Sequence, residues 1–305
     1  MALSGGSRAP QSTLRPAQRW FNRLWPSTRL GYDPLGDWCV QGRYVPVSIA
    51  NWKLTFVMRR RVLERRLAQP LSFTSNQRLT VVIPFRDRET HLRQLLPILA
   101  PMLREQGIRY RIVVVEQERG ELFNRGRLIN AGIHFTADAS DYYCLHDVDA
   151  LPLVANYACP SQPLRLVRWI ADHGADPPAD SQRAKHYFSG AVSIRKDQVF
   201  AANGYSNDYW GWGGEDDDFF FRLLLCGMLC YYDTQGRFLD LPNPTHQQVR
   251  RTGRATPPHW KRNRRRRSHL VRGLLDPAQD GLSSLRYEVI DHRGHGDHER
   301  LRVRW

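Results

Sequence analysis

Between residues 79 and 145 short apolar runs alternate with longer stretches of helical periodicity, and no other feature restricts the possible folds so much. Residues 79–84 (Leu-Thr-Val-Val-Ile-Pro) form a compact apolar run that Pro84 ends, as expected of a buried strand. Residues 90–105 follow with Leu92, Leu95, Leu96, Leu99, Met102 and Leu103 at helical spacing. A second strand is expected over 109–116, a second helix over 124–136 and a third strand over 141–145. Strand, helix, strand, helix, strand implies parallel pairing in an α/β sheet. In such sheets ligands bind beyond the carboxyl ends of the strands.

Polar clusters occupy those ends. Arg86-Asp87-Arg88 follows the first strand, Glu116-Gln117 the second and His146-Asp147-Val148-Asp149 the third. Extended geometry would point Asp147 and Asp149 to one side, an arrangement suited to a hard divalent cation bridging phosphates. Guanidinium forks such as Arg86 and Arg88 suit diphosphate oxygens. Phe123-Asn124-Arg125 adds an aromatic ring and a further cation on the same rim.

Farther along, Trp210-Gly211-Trp212-Gly213-Gly214-Glu215-Asp216-Asp217-Asp218 places four consecutive carboxylates directly after two indoles. Flat aromatic faces stack on sugar rings, and a carboxylate can bind a hydroxyl or take its proton. The competing structural reading is a glycine-rich turn entering the acidic first turn of a helix. The two readings are compatible.

The charge balance is strongly basic, with 45 Lys+Arg against 30 Asp+Glu and a net charge of +15. Much of the excess lies in the N-terminal segment through Arg66 and in the run 261–267. Such charge favours anionic partners without choosing among them. The five cysteines show no disulfide-scaffold pattern, and Cys226 and Cys230, four residues apart in an apolar stretch, are expected to be buried thiols. No apolar run is long enough for a transmembrane helix, and the first residues lack the pattern of a secretory signal. Residues 1–77 read as a basic N-terminal extension, disordered at first, with a basic amphipathic helix over 51–67. Residues 78–305 read as the catalytic domain.

Several blocks, in order, resemble the beta-1,4-galactosyltransferase family, which includes the xylosylprotein galactosyltransferases. They are residues 82–89, 123–132, 146–149, 187–190, the aromatic-acidic stretch 210–218 and Asp280-Gly281-Leu282-Ser283-Ser284-Leu285-Arg286-Tyr287. The resemblance covers about residues 79–291. It implies an A-type nucleotide-sugar glycosyltransferase (GT-A) fold, Rossmann-like, with a mostly parallel sheet and flanking helices. It also implies dependence on Mn2+ or another divalent cation, and inversion at the sugar carbon.

Carried over by position, Pro84, Phe85, Arg86 and Arg88 would hold the uridine and phosphate end of the donor, with Phe123 and Arg125 beside them. Asp147, Val148 and Gly190 fall on the donor side, and Asp149 would be the metal ligand. Trp212 would cover the sugars from a mobile loop that continues through Gly213 and Gly214. Glu215 would bind sugar hydroxyls and Asp216 would be the catalytic base. Tyr187 matches the position at which Tyr favours galactose over its N-acetylated form. The family's further metal ligand, often His, has no clean match here, leaving Asp240 and His246 as candidates. The family's vertebrate lumenal members carry disulfides and a membrane anchor. Cys144 and Cys159 lie near one family pair at shifted positions.

The resulting expectation is a metal-dependent inverting transferase that moves galactose from UDP-galactose to a glycan or glycolipid hydroxyl. Its expected location is the cytoplasm, with peripheral contact at an anionic inner membrane surface. Three alternatives stay open: another UDP-sugar donor such as UDP-N-acetylgalactosamine, a catalytically silent sugar-binding protein, and a nucleic-acid binder using the run 261–267.

Overall fold

The computed structural model describes residues 30–32, 38–40, 44–46, 71–167, 169–172, 188–242, 258–271 and 273–305. The expected disorder before residue 16 and the amphipathic helix over 51–67 lie outside the described residues, as do Tyr187 and His246. The chain divides into two compact units, residues 1–42 and 43–305. In the first, β1 (Leu30–Tyr32) and β2 (Trp38–Val40) pair antiparallel.

The second unit begins with β3 (Tyr44–Pro46) and β4 (Phe73–Thr74), then β5 (Arg78–Phe85), α1 (Glu89–Glu105), β6 (Arg109–Gln117) and α2 (Arg125–Phe135). Next come β7 (Tyr142–His146), β8 (Ala150–Val154), β9 (Cys159–Pro160), β10 (Leu164–Arg165), β11 (Trp169–Asp172) and β12 (Ala191–Arg195). Helices α3 (Lys196–Ala201) and α4 (Glu215–Leu225) precede β13 (Tyr231–Asp233) and β14 (Arg237–Asp240). Helix α5 (Pro258–Val271) and the hairpin β15 (Glu288–His295) and β16 (His298–Arg304) complete it.

The main sheet runs β15-β16-β6-β5-β7-β12-β10-β13-β3. Its centre, β16-β6-β5-β7, is parallel, as the alternating pattern requires. Beyond β7, β12 pairs antiparallel on both sides, and β3 caps the far edge antiparallel to β13. Strand β3 thus belongs to the catalytic sheet although it lies within the stretch read as the N-terminal extension. A smaller sheet, β11-β14-β8, stands beside the end of β7.

The apolar residues of β5, β6 and β7 are buried on both faces, which explains their continuous rather than alternating hydrophobicity. Helix α2 lies close on this sheet because Gly132 has no side chain. A Cβ there would stand 2.6 Å from Val82 Cγ1 and 2.9 Å from Val115 Cγ2. Helix α4 ends at Leu225, and Cys226 is exposed rather than buried, its thiol donating to the Ala201 carbonyl at 3.3 Å. The turn at Gly227 (φ +71°) ends the helical phase between the two cysteines, so Cys226 and Cys230 do not share a helical face. Cys230 is buried as expected, and Cys144 and Cys159 are free thiols.

A buried ionic hub fastens α4 to the last third of the chain. Asp218 and Arg222, 1% and 2% exposed, pair at 2.5 Å one helical turn apart. The Tyr209 hydroxyl donates to Asp218 at 3.0 Å, and Arg222 donates to the Asp280 carbonyl at 2.5 Å. Asp280 also accepts from Ser206 Oγ at 2.5 Å, from the Asn207 N–H at 2.9 Å and from Arg266 at 2.5 Å. Burial opposes ionisation of Asp280, but these donors and the charges of Arg266 and Arg222 overcome it and hold the carboxyl below its ordinary range. Removing one partner of such a buried pair strands the other. Arg222→Met is therefore expected to destabilise the protein by about 3–5 kcal/mol in denaturant titration, with a smaller loss when Asp218→Asn is added to it.

Candidate active site

The site gathers at the carboxyl ends of β5, β6 and β7. Asn124 starts α2 by accepting from the Arg127 N–H at 2.9 Å, while its amide donates to the Asn207 carbonyl at 2.9 Å. This cap aims the next side chain, Arg125, inward. Its guanidinium donates to Asp147 Oδ1 at 2.7 Å, stands 3.8 Å from Glu215 Oε1 and lies 5.6 Å above the Tyr205 ring. Burial opposes its charge, yet Asp147, Tyr205, Glu215 and Asp216 together hold its pKa well above the ordinary value.

Asp147 and Asp149 do not share one face of a strand. Strand β7 stops at His146, and residues 147–149 form a turn closed by the Ala150 N–H on the Asp147 carbonyl at 3.2 Å. Asp147 turns inward to Arg125 and accepts from Ser189 Oγ at 3.3 Å and the Gly190 N–H at 3.2 Å. Val148 is buried. Asp149 closes that turn: its carbonyl accepts from the Leu241 N–H at 2.8 Å, while Asp240 stands opposite Ala150, one register position away, so the two carboxylates do not share a ladder position. A carboxylate such as Asp149 is of the type that a hard cation prefers. Among the described residues no group of three metal-type side chains forms.

On the donor rim, Pro84 and Phe85 are buried at the end of β5, and Arg300 covers the Phe85 ring at 4.8 Å. Arg86 lies over the Phe123 ring at 5.2 Å and donates to the Glu121 carbonyl at 2.7 Å. Arg88 is half-buried just before α1. A groove lined by Arg78, Asp141, Arg195, Lys196 and Phe200 lies at the opposite ends of these strands, and there Arg78 is paired with Asp141 at 2.8 Å.

The aromatic stretch forms a loop fastened at its start. Gly211 N–H donates to the Phe123 carbonyl at 2.8 Å, and the Asn263 amide donates to the Trp210 carbonyl at 3.1 Å and the Trp212 carbonyl at 3.5 Å. Arg127 lies between the Trp210 and Trp305 rings, 5.4 and 5.1 Å away. Trp212 is 38% exposed. Gly213 and Gly214 then turn through φ +99° and +97°, a region that favours glycine, so that Glu215 opens α4 pointing at Arg125.

The four consecutive carboxylates divide. Glu215 and Asp216 face the site, Asp217 pairs with Arg267, and Asp218 enters the buried hub. Burial, then the neighbouring Asp216 charge, pushes the Glu215 carboxyl well above its usual range, and burial with Asp217 raises Asp216. Arg125 does not undo this, because its closest contact is Asp147. Among the described residues, Glu215 Oε2 and one Arg125 terminal nitrogen are buried without hydrogen-bond partners, as groups that take a ligand would be.

The run 261–267 forms part of α5 rather than a solvated tail. Arg262 and Arg266 pair with Asp208 at 2.5 and 2.9 Å, and Asn263 is 1% exposed. Sequence reasoning missed this clamp and Tyr205, and it placed Asp280 in a block of resemblance without a role. The i, i+4 spacing of Arg262, Arg266 and Arg267 with Asn263 on one helical face was the available signal, although their partners are distant in sequence.

This sheet, with its carboxylates and arginines at the strand ends, is the GT-A-type fold of nucleotide-sugar transferases. The structure is similar to the catalytic domain of Drosophila beta-1,4-galactosyltransferase 7 in complex with xylobiose: 27% identity, TM-score 0.59, covering 74% of this chain and 93% of that one. A mutant of the fly enzyme in complex with manganese, UDP-Gal and xylobiose matches with TM-score 0.58. Residues 47–160 match the N-terminal region of glycosyl transferase group 7, and residues 172–241 a domain described as the N-terminal domain of galactosyltransferase. Beta-1,4-galactosyltransferase 2 of Cricetulus griseus is 37% identical over 227 residues, 73% of this chain and 58% of the relative. Human beta-1,4-galactosyltransferase 1 is 33% identical over 226 residues, 73% and 53% of the two chains. The chain belongs to the beta-1,4-galactosyltransferase family, glycosyltransferase group 7. It spans a little over half the length of these curated relatives. The kinship corrects the cytoplasmic expectation, because the animal relatives are lumenal Golgi type II membrane proteins. The physical reason for the error is that thiol content and hydropathy describe the catalytic domain and carry no address.

The raised Glu215 carboxyl has a consequence for stability. Its folded pKa exceeds its unfolded one, so its contribution is full below the ordinary carboxylate range and is lost as pH rises through the raised value. Glu215→Gln is expected to flatten that decline and raise the melting temperature at pH 8 by about 2–4 °C, measured by calorimetry between pH 4 and 9.

Proposed function

We propose that this chain is a metal-dependent, inverting beta-1,4-galactosyltransferase that moves galactose from UDP-galactose to a sugar hydroxyl. The observation that carries the reading is the site-facing pair Glu215 and Asp216, set at the head of α4 beside the half-buried pair of Arg125 and Asp147. Similarity to enzymes named as beta-1,4-galactosyltransferases supports the donor, and a related fly structure holding manganese, UDP-Gal and xylobiose supports the cation and a sugar acceptor.

In this reading Asp216 takes the proton from the acceptor hydroxyl as that oxygen attacks the anomeric carbon. Its raised pKa suits a base working near neutrality. Glu215, whose Oε2 has no hydrogen-bond partner among the described residues, accepts a sugar hydroxyl. Arg86 and Arg88, with the Phe123 ring, hold the uridine and diphosphate end, above the buried floor of Pro84 and Phe85. Asp147 and Val148 shape the turn, and the Asp147–Gly190 bonds bring that backbone close to the donor sugar. Trp212 with Gly213 and Gly214 covers the sugars and excludes water. Asp149, with Asp240 and His246 as candidates for a further ligand, would hold Mn2+ or another divalent cation. That ion would neutralise charge on the departing diphosphate. Tyr187 is the position proposed to favour galactose over the N-acetylated sugar.

Asp216→Asn is expected to lower transfer by about 10²–10⁴-fold while leaving UDP-galactose binding by calorimetry within a few-fold. Wild-type kcat/KM should rise with pH along a limb displaced above the ordinary carboxylate range. Unchanged turnover would remove Asp216 from the base role. Asp149→Ala should abolish saturable Mn2+ binding followed by electron paramagnetic resonance, with folding preserved by circular dichroism.

A further inference from the structure

Helix α5 carries two kinds of cation, and the fold accounts for only one. Its inner face holds Arg262, Arg266 and Arg267, which pair with Asp208, Asp280 and Asp217, together with buried Asn263 on the aromatic loop. Lys261, Arg264 and Arg265 occupy the outer face, are exposed, and have no ion pair among the described residues. The three lie within one turn of each other, so they repel at close range. Lys261 and Arg264 also lie in the N-terminal half of the helix, whose first turn has no acidic residue and whose dipole disfavours positive charge. None of the described residues neutralises these three charges, and like charges at this spacing oppose helix stability.

The helix that carries the row also touches the aromatic loop. Had Gly211 a Cβ, it would lie 3.9 Å from His259 in the first turn of α5, and Asn263 bonds the loop that carries Trp212. At 1.5 Å of rise per residue, long side chains starting at 261–265 reach groups roughly 10 Å from the loop, about two sugar residues away. Trp260 flanks the row, with the Arg264 guanidinium 5.8 Å from its ring centroid, which adds a flat face of the kind that stacks on sugars.

We propose that the acceptor is an acidic glycan, bearing a carboxylate, phosphate or sulfate one or two residues beyond the reacting sugar, and that Lys261, Arg264 and Arg265 bind that anion. This rests on the galactosyltransferase reading above and adds the acceptor class. An anionic lipid surface would also meet these cations, but the contact of α5 with the catalytic loop favours the substrate itself.

The test uses two disaccharide acceptors that differ only in the penultimate residue, glucuronate against glucose, with the full chain and UDP-galactose. Wild type is expected to favour the glucuronate acceptor by about tenfold in kcat/KM at low salt. The ratio should fall towards one in 0.5 M salt, an ionic strength of about three times physiological. It should fall likewise in the variant Lys261→Gln, Arg264→Gln, Arg265→Gln, whose melting temperature should equal or exceed that of wild type. A wild-type ratio near one, or a preference that survives in the variant, overturns the proposal. So does loss of binding to phosphatidylglycerol vesicles in the variant with its acceptor ratio unchanged, which would make the row a lipid dock. Absence of transfer to both acceptors sinks the galactosyltransferase reading instead. Titration calorimetry with the free glucuronate disaccharide then decides the row alone, and equal affinity in wild type and variant overturns it.

Discussion

The site depends on one buried cation. Arg125 leaves the capped start of α2 and meets Asp147 at 2.7 Å and Glu215 at 3.8 Å, joining the end of β7 to the start of α4. A single guanidinium cannot satisfy every carboxylate around it. Asp147 makes the close contact, so burial and the mutual repulsion of neighbouring carboxylates prevail at Glu215 and Asp216 and raise their pKa values. Without that positive charge, the carboxylates at the head of α4 could not be brought together with Asp147 at tolerable cost. Pre-set acidity and geometry therefore have a common origin.

The acidic row shows how fold and chemistry share a short stretch. In a helix, consecutive residues point about 100° apart, so four carboxylates in sequence must meet different surroundings. Glu215 and Asp216 meet the site, Asp217 meets Arg267, and Asp218 is sealed with Arg222 and Tyr209. The two functions are inseparable in sequence and distinct in space.

Much of this was legible in the sequence where periodicity is strong. The order β5, α1, β6, α2 and β7 follows from continuous apolar runs and Leu spacing, and the placement of Arg86, Arg125 and Glu215 near strand ends or a helix start follows from it. The antiparallel half of the sheet was not legible, because β10, β12 and β13 are two to five residues long and carry no period of their own. Asp147 and Asp149 look alike in sequence, and only the turn after His146 sends one inward and the other towards β14. The basic run looked like a free cationic surface because its partners, Asp208 and Asp280, are neighbours only in the folded chain. Tyr187 and His246 lie outside the described residues.

The aromatic loop is held mainly through its main chain: Gly211 by its N–H, Trp210 and Trp212 by their carbonyl oxygens. Every residue type carries the amide and carbonyl groups used in these three bonds, so this part of the grip sets the path of the backbone whatever rings it bears. Glu215 and Asp216 follow that backbone after only two glycines, and the frame of the carboxylate pair is therefore inherited from peptide groups.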